Sequence, residues 1–295
     1  MDSDVDTGRW LEACRRAVRR QKAILADFRG RDLTHYVGVG AGGDQTLELD
    51  RAFEEAVFLE LAEVAEPVGF AVISEERGGE TIGKQGPTEL RVVVDPIDGS
   101  ENAKRGIPCF SLSVAVATGA TMQDVEFGYV YDFGTGEEWA AFRGAGAFLN
   151  GDLLDQVQTR AAAMNAREND RGKGIGLVAL EAAEPTLLGG AVASLAADVY
   201  LIRVIGSIAI TLAHLATGRI DAMFTAGECK SVDAAAGQLI AREAGAEIRF
   251  ENLALSETEL TLDRKFRLVG AREQDALDAV VAAQQAAAFS SSRLP

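Results

Sequence analysis

Five short apolar runs lie between residues 70 and 142: Phe70–Ser74, Arg91–Asp95, Ser111–Ala117, Val125–Tyr131 and Glu138–Phe142. Each has strand length and β-favouring composition, and turn residues separate them. Two amphipathic helices precede this series. Residues from about Arg9 to Phe28 place Leu11, Cys14, Val18, Leu25 and Phe28 at helical spacing, and Asp50 to Glu66 does the same with Phe53, Val57, Phe58, Leu61 and Val64. Helices followed by a run of strands predict an α+β unit with a mostly antiparallel sheet. Between the helices, Gly38-Val39-Gly40-Ala41-Gly42-Gly43 reads as an irregular turn. Its glycines fit the letters GxGxxG, but no apolar strand leads in and no helix opens directly from it, so a dinucleotide site is not supported.

The second half of the chain alternates instead. Strand-like Gly176–Leu180 and Val199–Val204 precede a helix near Ser207–Thr217; strand-like Arg219–Phe224 precedes a helix near Asp233–Ala244, with Glu247–Phe250 after it. Such alternation predicts an α/β layer. The polar stretch from about Gln156 to Lys173 serves as the connection, dividing the chain into an N-terminal unit, 1–155, and a C-terminal unit, 156–295. Ser290–Pro295 reads as a frayed tail.

Composition narrows the function. With 29 basic against 45 acidic residues the net charge is −16, which argues against nucleic acid as a partner. No apolar stretch reaches the roughly 18–20 residues a membrane span needs, and no basic-then-apolar leader opens the chain. Cys14, Cys109 and Cys229 are odd in number and far apart, so no disulfide framework is expected and a cytoplasmic setting fits. Lysine occurs at only six positions, a pattern equally compatible with a high-salt host and with an acidic mesophilic enzyme.

The chemistry gathers in four acidic clusters. In Val92-Val93-Val94-Asp95-Pro96-Ile97-Asp98-Gly99-Ser100 an apolar strand delivers Asp95 at its end, and Asp98 returns three residues later. Two carboxylates converging beside exposed amides suit a hard cation and a phosphate, although an Asx-rich turn would use the same letters. Glu75 and Glu76 end another apolar strand, where a solvated pair is the ordinary alternative. Asp44 and Asp50 flank Gln45-Thr46-Leu47-Glu48-Leu49, with Asp50 equally suited to a helix N-cap. Asp233, in Ser231-Val232-Asp233-Ala234-Ala235-Ala236-Gly237, taken alone is a cap as well.

Together, in this order and spacing, the four clusters resemble the inositol monophosphatase family, the lithium-sensitive superfamily that also contains fructose-1,6-bisphosphatases. The resemblance runs over nearly the whole chain and extends to Asn150-Gly151, Arg203 with Gly206-Ser207, and Gly218-Arg219-Ile220-Asp221-Ala222. It implies a layered αβαβα sandwich, homodimers, and Mg²⁺-dependent hydrolysis of a phosphorylated sugar or polyol by metal-activated water. Two or three Mg²⁺ are implied, with Mn²⁺ as a substitute and Li⁺ as an inhibitor. Glu75, Asp95 and the Ile97 carbonyl would hold the first ion. Asp95, Asp98 and Asp233 would hold the second, and Asp44 and Glu76 would lie near a third. Ser100 with Glu75 would orient and deprotonate the water. Gly99, Ser100, Asp98, Arg203 and Asp233 would face the substrate and its phosphate. Such a set meets the needs of phosphoryl transfer, which are positioning and charge neutralisation. His35 and His214 stand outside every cluster and are not expected in catalysis.

Departures from the family pattern bear on specificity. Ser100 replaces the usual Thr and keeps the hydroxyl; Ser74 replaces Gly before Glu75, and Val232 replaces an aromatic before Asp233. Inositol-specific members present an acidic residue approximately where Thr225 stands here, which weakens inositol specificity. Lys230 or Arg203 would favour a bisphosphate such as fructose-1,6-bisphosphate if either met a second phosphate. A 3′-phosphoadenosine 5′-phosphate phosphatase and a non-catalytic family member are the remaining alternatives; the latter is disfavoured because every expected ligand is present.

Overall fold

The structure is a computed structural model that describes residues 6–28, 36–41, 45–65, 69–83, 89–154 and 173–291. Asp44, His35, the connection at 156–172 and the residues after 291 lie outside the described residues.

Helix α1 (Thr7–Phe28) buries Trp10, Ala13, Cys14, Ala17, Val18 and Gln21, a stripe at the three-to-four spacing that its sequence dictates. It packs on α2 (Glu48–Ala65), and both cover one face of an eight-stranded sheet. A short antiparallel pair, β1 (Tyr36–Val39) and β2 (Gln45–Leu47), joins the helices. Gly38 therefore sits in a strand rather than in the irregular turn expected of the glycine-rich segment, because pairing with β2 fixes its backbone.

The large sheet comprises β3 (Phe70–Ser74), β4 (Gly78–Ile82), β5 (Arg91–Asp98), β6 (Ser111–Ala117), β7 (Val125–Asp132), β8 (Glu138–Phe142), β9 (Gly146–Leu149) and β10 (Asp152–Leu153), with the short helix α3 (Ser100–Lys104) after β5. Its order is β10-β9-β8-β7-β6-β5-β3-β4, and every pairing is antiparallel except β3 with β5. That exception arises because β3 first forms a hairpin with β4 at the sheet edge, and the chain then returns on the other side of β3. Ser74 is in register with Val94, so the residues that follow each strand emerge at the same end.

Strand alternation divides the core. Val92, Val94, Leu112, Val114, Val116 and Phe127 meet α1 and α2. Ile73, Val93, Ala115, Val130 and Trp139 face the opposite way, onto α5 (Ile208–Ala216) and α6 (Ser231–Glu243). Glu75 and Asp95 follow Ile73 and Val93 by two residues and so share their direction, toward α6. These two helices are clasped on their far side by a five-stranded sheet of order β12-β11-β13-β15-β14. Its strands are β11 (Ile175–Glu181), β12 (Val199–Arg203), β13 (Ala222–Thr225), β14 (Glu247–Phe250) and β15 (Leu268–Ala271). The outermost layer is α4 (Pro185–Leu195) with α7 (Gln274–Ser291). The layers run αβαβα, as the sequence resemblance implied.

Two details depart from expectation. The strand expected from Arg219 begins only at Ala222, because the Asp221 carboxylate is spent on the Gly176 and Leu177 amides, both at 2.8 Å. The C-terminal sheet is mixed rather than purely alternating, since β13, β15 and β14 pair antiparallel. Among the described residues no helix is long and apolar enough to cross a membrane.

Candidate active site

The register of β5 against β6 breaks between Asp95 and Asp98, so Pro96 and Ile97 bulge from the ladder. The Gln21 side-chain amide braces the bulge from α1 by donating to the Pro96 carbonyl at 3.3 Å. Inside it, the Asp95 carboxylate accepts the Ile97 N–H at 3.0 Å. Gly99 then takes a left-handed conformation (φ 93°) that starts α3 at Ser100. A Cβ at Gly99 would also lie 2.8 Å from the Cys109 carbonyl oxygen and 2.9 Å from that of Gly206, so conformation and space both demand glycine.

The turn bearing Glu75 and Glu76 is anchored from beneath. The Ser74 hydroxyl donates to buried Glu54 at 2.5 Å, and Glu54 also accepts the Arg77 N–H and Nε, each at 3.1 Å. Ser74, the residue that departs from the family's glycine, thus ties the turn to α2. The Glu76 carbonyl accepts the Ala41 N–H at 2.9 Å, which closes the segment after β1 over the same turn.

Asp233 lies in the first turn of α6, where its carboxylate accepts the Lys230 N–H at 2.7 Å. It is a cap and something more. One carboxylate oxygen each from Glu75, Asp95 and Asp233 lie within 4.8 Å of one another. Burial and then the charges of Glu75 and Asp98 push the carboxyls of Asp95 and Asp233 well above the ordinary range, with each other's proximity adding at Asp95. Such an all-oxygen set, crowded and short of positive charge, fits a hard divalent cation: its charge would relieve the repulsion that otherwise favours protonation. A cavity of about 80 Å³ opens beside the three, lined by Asp50, Glu75, Glu76, Asp95, Pro96, Ile97 and Ser100.

Asp98 is placed differently. Its buried carboxylate accepts the Ser207 hydroxyl at 2.5 Å and the Ala209 and Ile208 amides at 2.7 and 3.3 Å, so it caps the start of α5. Burial nevertheless raises its pKa to about 6 against those hydrogen bonds. Arg203 ends β12 exposed, with its guanidinium on the Ile202 carbonyl at 3.0 Å and no place in the cavity wall. Thr225 is wholly buried, and its hydroxyl accepts the Leu268 N–H at 3.0 Å, so it belongs to the sheet and offers nothing to a substrate. Asp50, weighed as a helix cap, lies instead in the first turn of α2 and lines the cavity. His214 packs edge-on against Trp139, remote from these groups.

Residues 9–288 match the inositol monophosphatase family. The chain belongs to that family. As a member it is a metal-dependent phosphatase, a phosphoric monoester hydrolase. It is 28% identical over 278 residues to a fructose-1,6-bisphosphatase/inositol-1-monophosphatase of Thermococcus kodakarensis, covering 94% of this chain and 97% of the relative. It is 31% identical over 229 residues to an inositol-1-monophosphatase of Mesorhizobium japonicum, covering 78% and 80%. The fold matches that of a Pyrococcus horikoshii protein with similarities to inositol-1 monophosphatase, at a TM-score of 0.73 and 23% identity over 95% of this chain and 99% of the other.

Proposed function

We propose that this family member hydrolyses the phosphate monoester of a small polyol or sugar with Mg²⁺ as its cation. Inositol monophosphate is the leading substrate and fructose-1,6-bisphosphate the second. The approach of one carboxylate oxygen each from Glu75, Asp95 and Asp233 to within 4.8 Å of one another, with Glu75 and Asp95 in the wall of one cavity, carries this reading. Glu75, Asp95, the Ile97 carbonyl and Asp233 would hold the cation, with Asp98 behind them and Glu76 near a weaker position. A divalent cation bound there supplies Lewis acidity toward the phosphoryl oxygens and the attacking water. Ser100 and Glu75 would orient that water together, and its proton would pass to the Glu75 carboxylate. The Gly99 and Ser100 amides receive the phosphate oxygens. The bisphosphate alternative is supported by the dual name of the Thermococcus relative.

The protein further acts as a cytoplasmic homodimer without nucleic-acid partners, its units 1–155 and 156–295 supplying the metal ligands and the substrate contacts between them. Supporting observations are the edge strand β12, where Tyr200, Leu201 and neighbouring Val204 are exposed, the net charge of −16, and three free cysteines.

Phosphate release from myo-inositol 1-phosphate, fructose-1,6-bisphosphate, glucose 1-phosphate and 3′-phosphoadenosine 5′-phosphate, with and without Mg²⁺, tests this function. Release that requires Mg²⁺ and vanishes in Asp95→Asn is expected. Equal release by Asp95→Asn would refute the assigned site.

A further inference from the structure

Lys230 is the residue before α6, and its side chain is only 7% exposed. Its ammonium Nζ stands 3.0 Å from Glu75 Oε1, while its backbone N–H donates to Asp233 at 2.7 Å. One residue thus touches two of the three carboxylates whose oxygens lie within 4.8 Å of one another. A buried lysine here is not a group offered outward to a second phosphate. It is a monovalent cation built into the chain, on a flexible stem, at the place where the carboxylates most need positive charge.

Glu75 cannot serve both cations without cost. An ion held jointly by Glu75, Asp95 and Asp233 draws on the same carboxylate that the ammonium holds, and the two positive charges repel at close range. We propose that Lys230 is an internal competitor for the metal: it holds Glu75 in the metal-free protein and lowers the affinity with which a divalent cation enters. This inference rests on the metal-site reading of Glu75, Asp95 and Asp233 and adds a residue that tunes it. The effect is built in two parts. In the metal-free state the ammonium offsets repulsion among the carboxylates. In the loaded state it must release Glu75 or remain beside a divalent ion, and either event weakens binding.

The test is calorimetric titration of Mn²⁺ into the metal-stripped full-length protein and into Lys230→Met, Lys230→Gln and Lys230→Arg, with melting temperatures taken in chelator and in saturating Mn²⁺. Lys230→Met and Lys230→Gln are expected to bind Mn²⁺ about tenfold more tightly, equivalent to about 1.4 kcal/mol. They should melt lower than wild type in chelator and no lower in Mn²⁺. Lys230→Arg keeps the charge and is expected to stay within about twofold of wild type. Unchanged or weaker Mn²⁺ binding by whichever neutral variant folds overturns the role of Lys230 while leaving the metal site standing. Absence of Mn²⁺ binding by the wild type overturns both.

Discussion

Replacing Gly128 with alanine should disturb the proposed metal site without touching it. Gly128 is in β7, directly under α6, and a Cβ there would lie 2.7 Å from the Ala236 carbonyl oxygen and 3.2 Å from its Cα. Ordinary contact begins at 3.4 Å, so the helix must retreat from the sheet by about 0.7 Å. Both opposing atoms are backbone, and no side chain can rotate away to absorb the clash. The expected destabilisation is that of an overpacked core, about 1–3 kcal/mol. In a chain of 295 residues that lowers the melting temperature by about 2–5 °C. The functional effect follows from where the helix begins. Asp233 lies one turn before Ala236, and metal sites tolerate displacements of only about 0.2 Å in a ligand. Mn²⁺ affinity should therefore fall by about tenfold, comparable with losses seen when groups supporting a metal ligand are altered. Differential scanning calorimetry and Mn²⁺ titration on the same preparation measure both. A variant that keeps the wild-type melting temperature and Mn²⁺ affinity would refute the tight seating of α6 on β7.

Three other expectations are independent of that contact. Gly189, exposed within α4 and with open space around its Cβ direction, should accept alanine and gain up to about 1 kcal/mol, read from the midpoint of urea unfolding. Glu54→Ala should cost about 2 kcal/mol and weaken Mn²⁺ binding, since Ser74 and Arg77 lose the buried acceptor that anchors the Glu75 turn; wild-type Mn²⁺ affinity would remove Glu54 from the support of the site. Burial, reinforced by the nearby Arg219 charge, pushes the pKa of His214 down to about 4, so the unfolded chain binds the extra proton between about pH 4 and 6.5. The stability this contributes is present above pH 6.5 and lost as pH falls toward 4, at most about 3 kcal/mol. His214→Gln should show a smaller loss than wild type between pH 6.5 and 4.5, and identical losses would contradict a buried neutral imidazole.

What the sequence disclosed follows the physics of each signal. Val92-Val93-Val94 announces a strand covered on both faces, and Trp10 to Val18 announces a helix with one buried side, because burial there recurs at the natural period of the element. Strand β4 carries no such mark: its residues Gly-Gly-Glu-Thr-Ile lie at the sheet edge and only Gly78 is buried. Helix α7 gives a weaker signal: Leu277 and Val280 mark its buried face, but Ala276, Ala283 and Ala287 on the same face contrast little with the alanines around them. The acidic motifs were legible as a set, yet the sequence could not separate a carboxylate facing the cavity from one facing away. Asp98 follows Asp95 by three residues, but its direction is decided by Ser207 and Ala209, more than a hundred residues on. The pairing of Lys230 with Glu75 spans 155 residues and leaves no local trace.

The middle helical layer has a consequence for how this protein comes into being. A nascent chain presents α1, α2 and the large sheet first, with one face of that sheet covered and the Ile73, Val93, Ala115 and Trp139 face still bare. Its cover, α5 and α6, is synthesised only after residue 207, and Asp233 travels with the cover. During translation the last carboxylate of the proposed cation site and the cover of the apolar face therefore arrive in the same stretch of chain. A polypeptide stopped short of residue 207 would lack both the cover of that apolar face and one carboxylate of the proposed cation site.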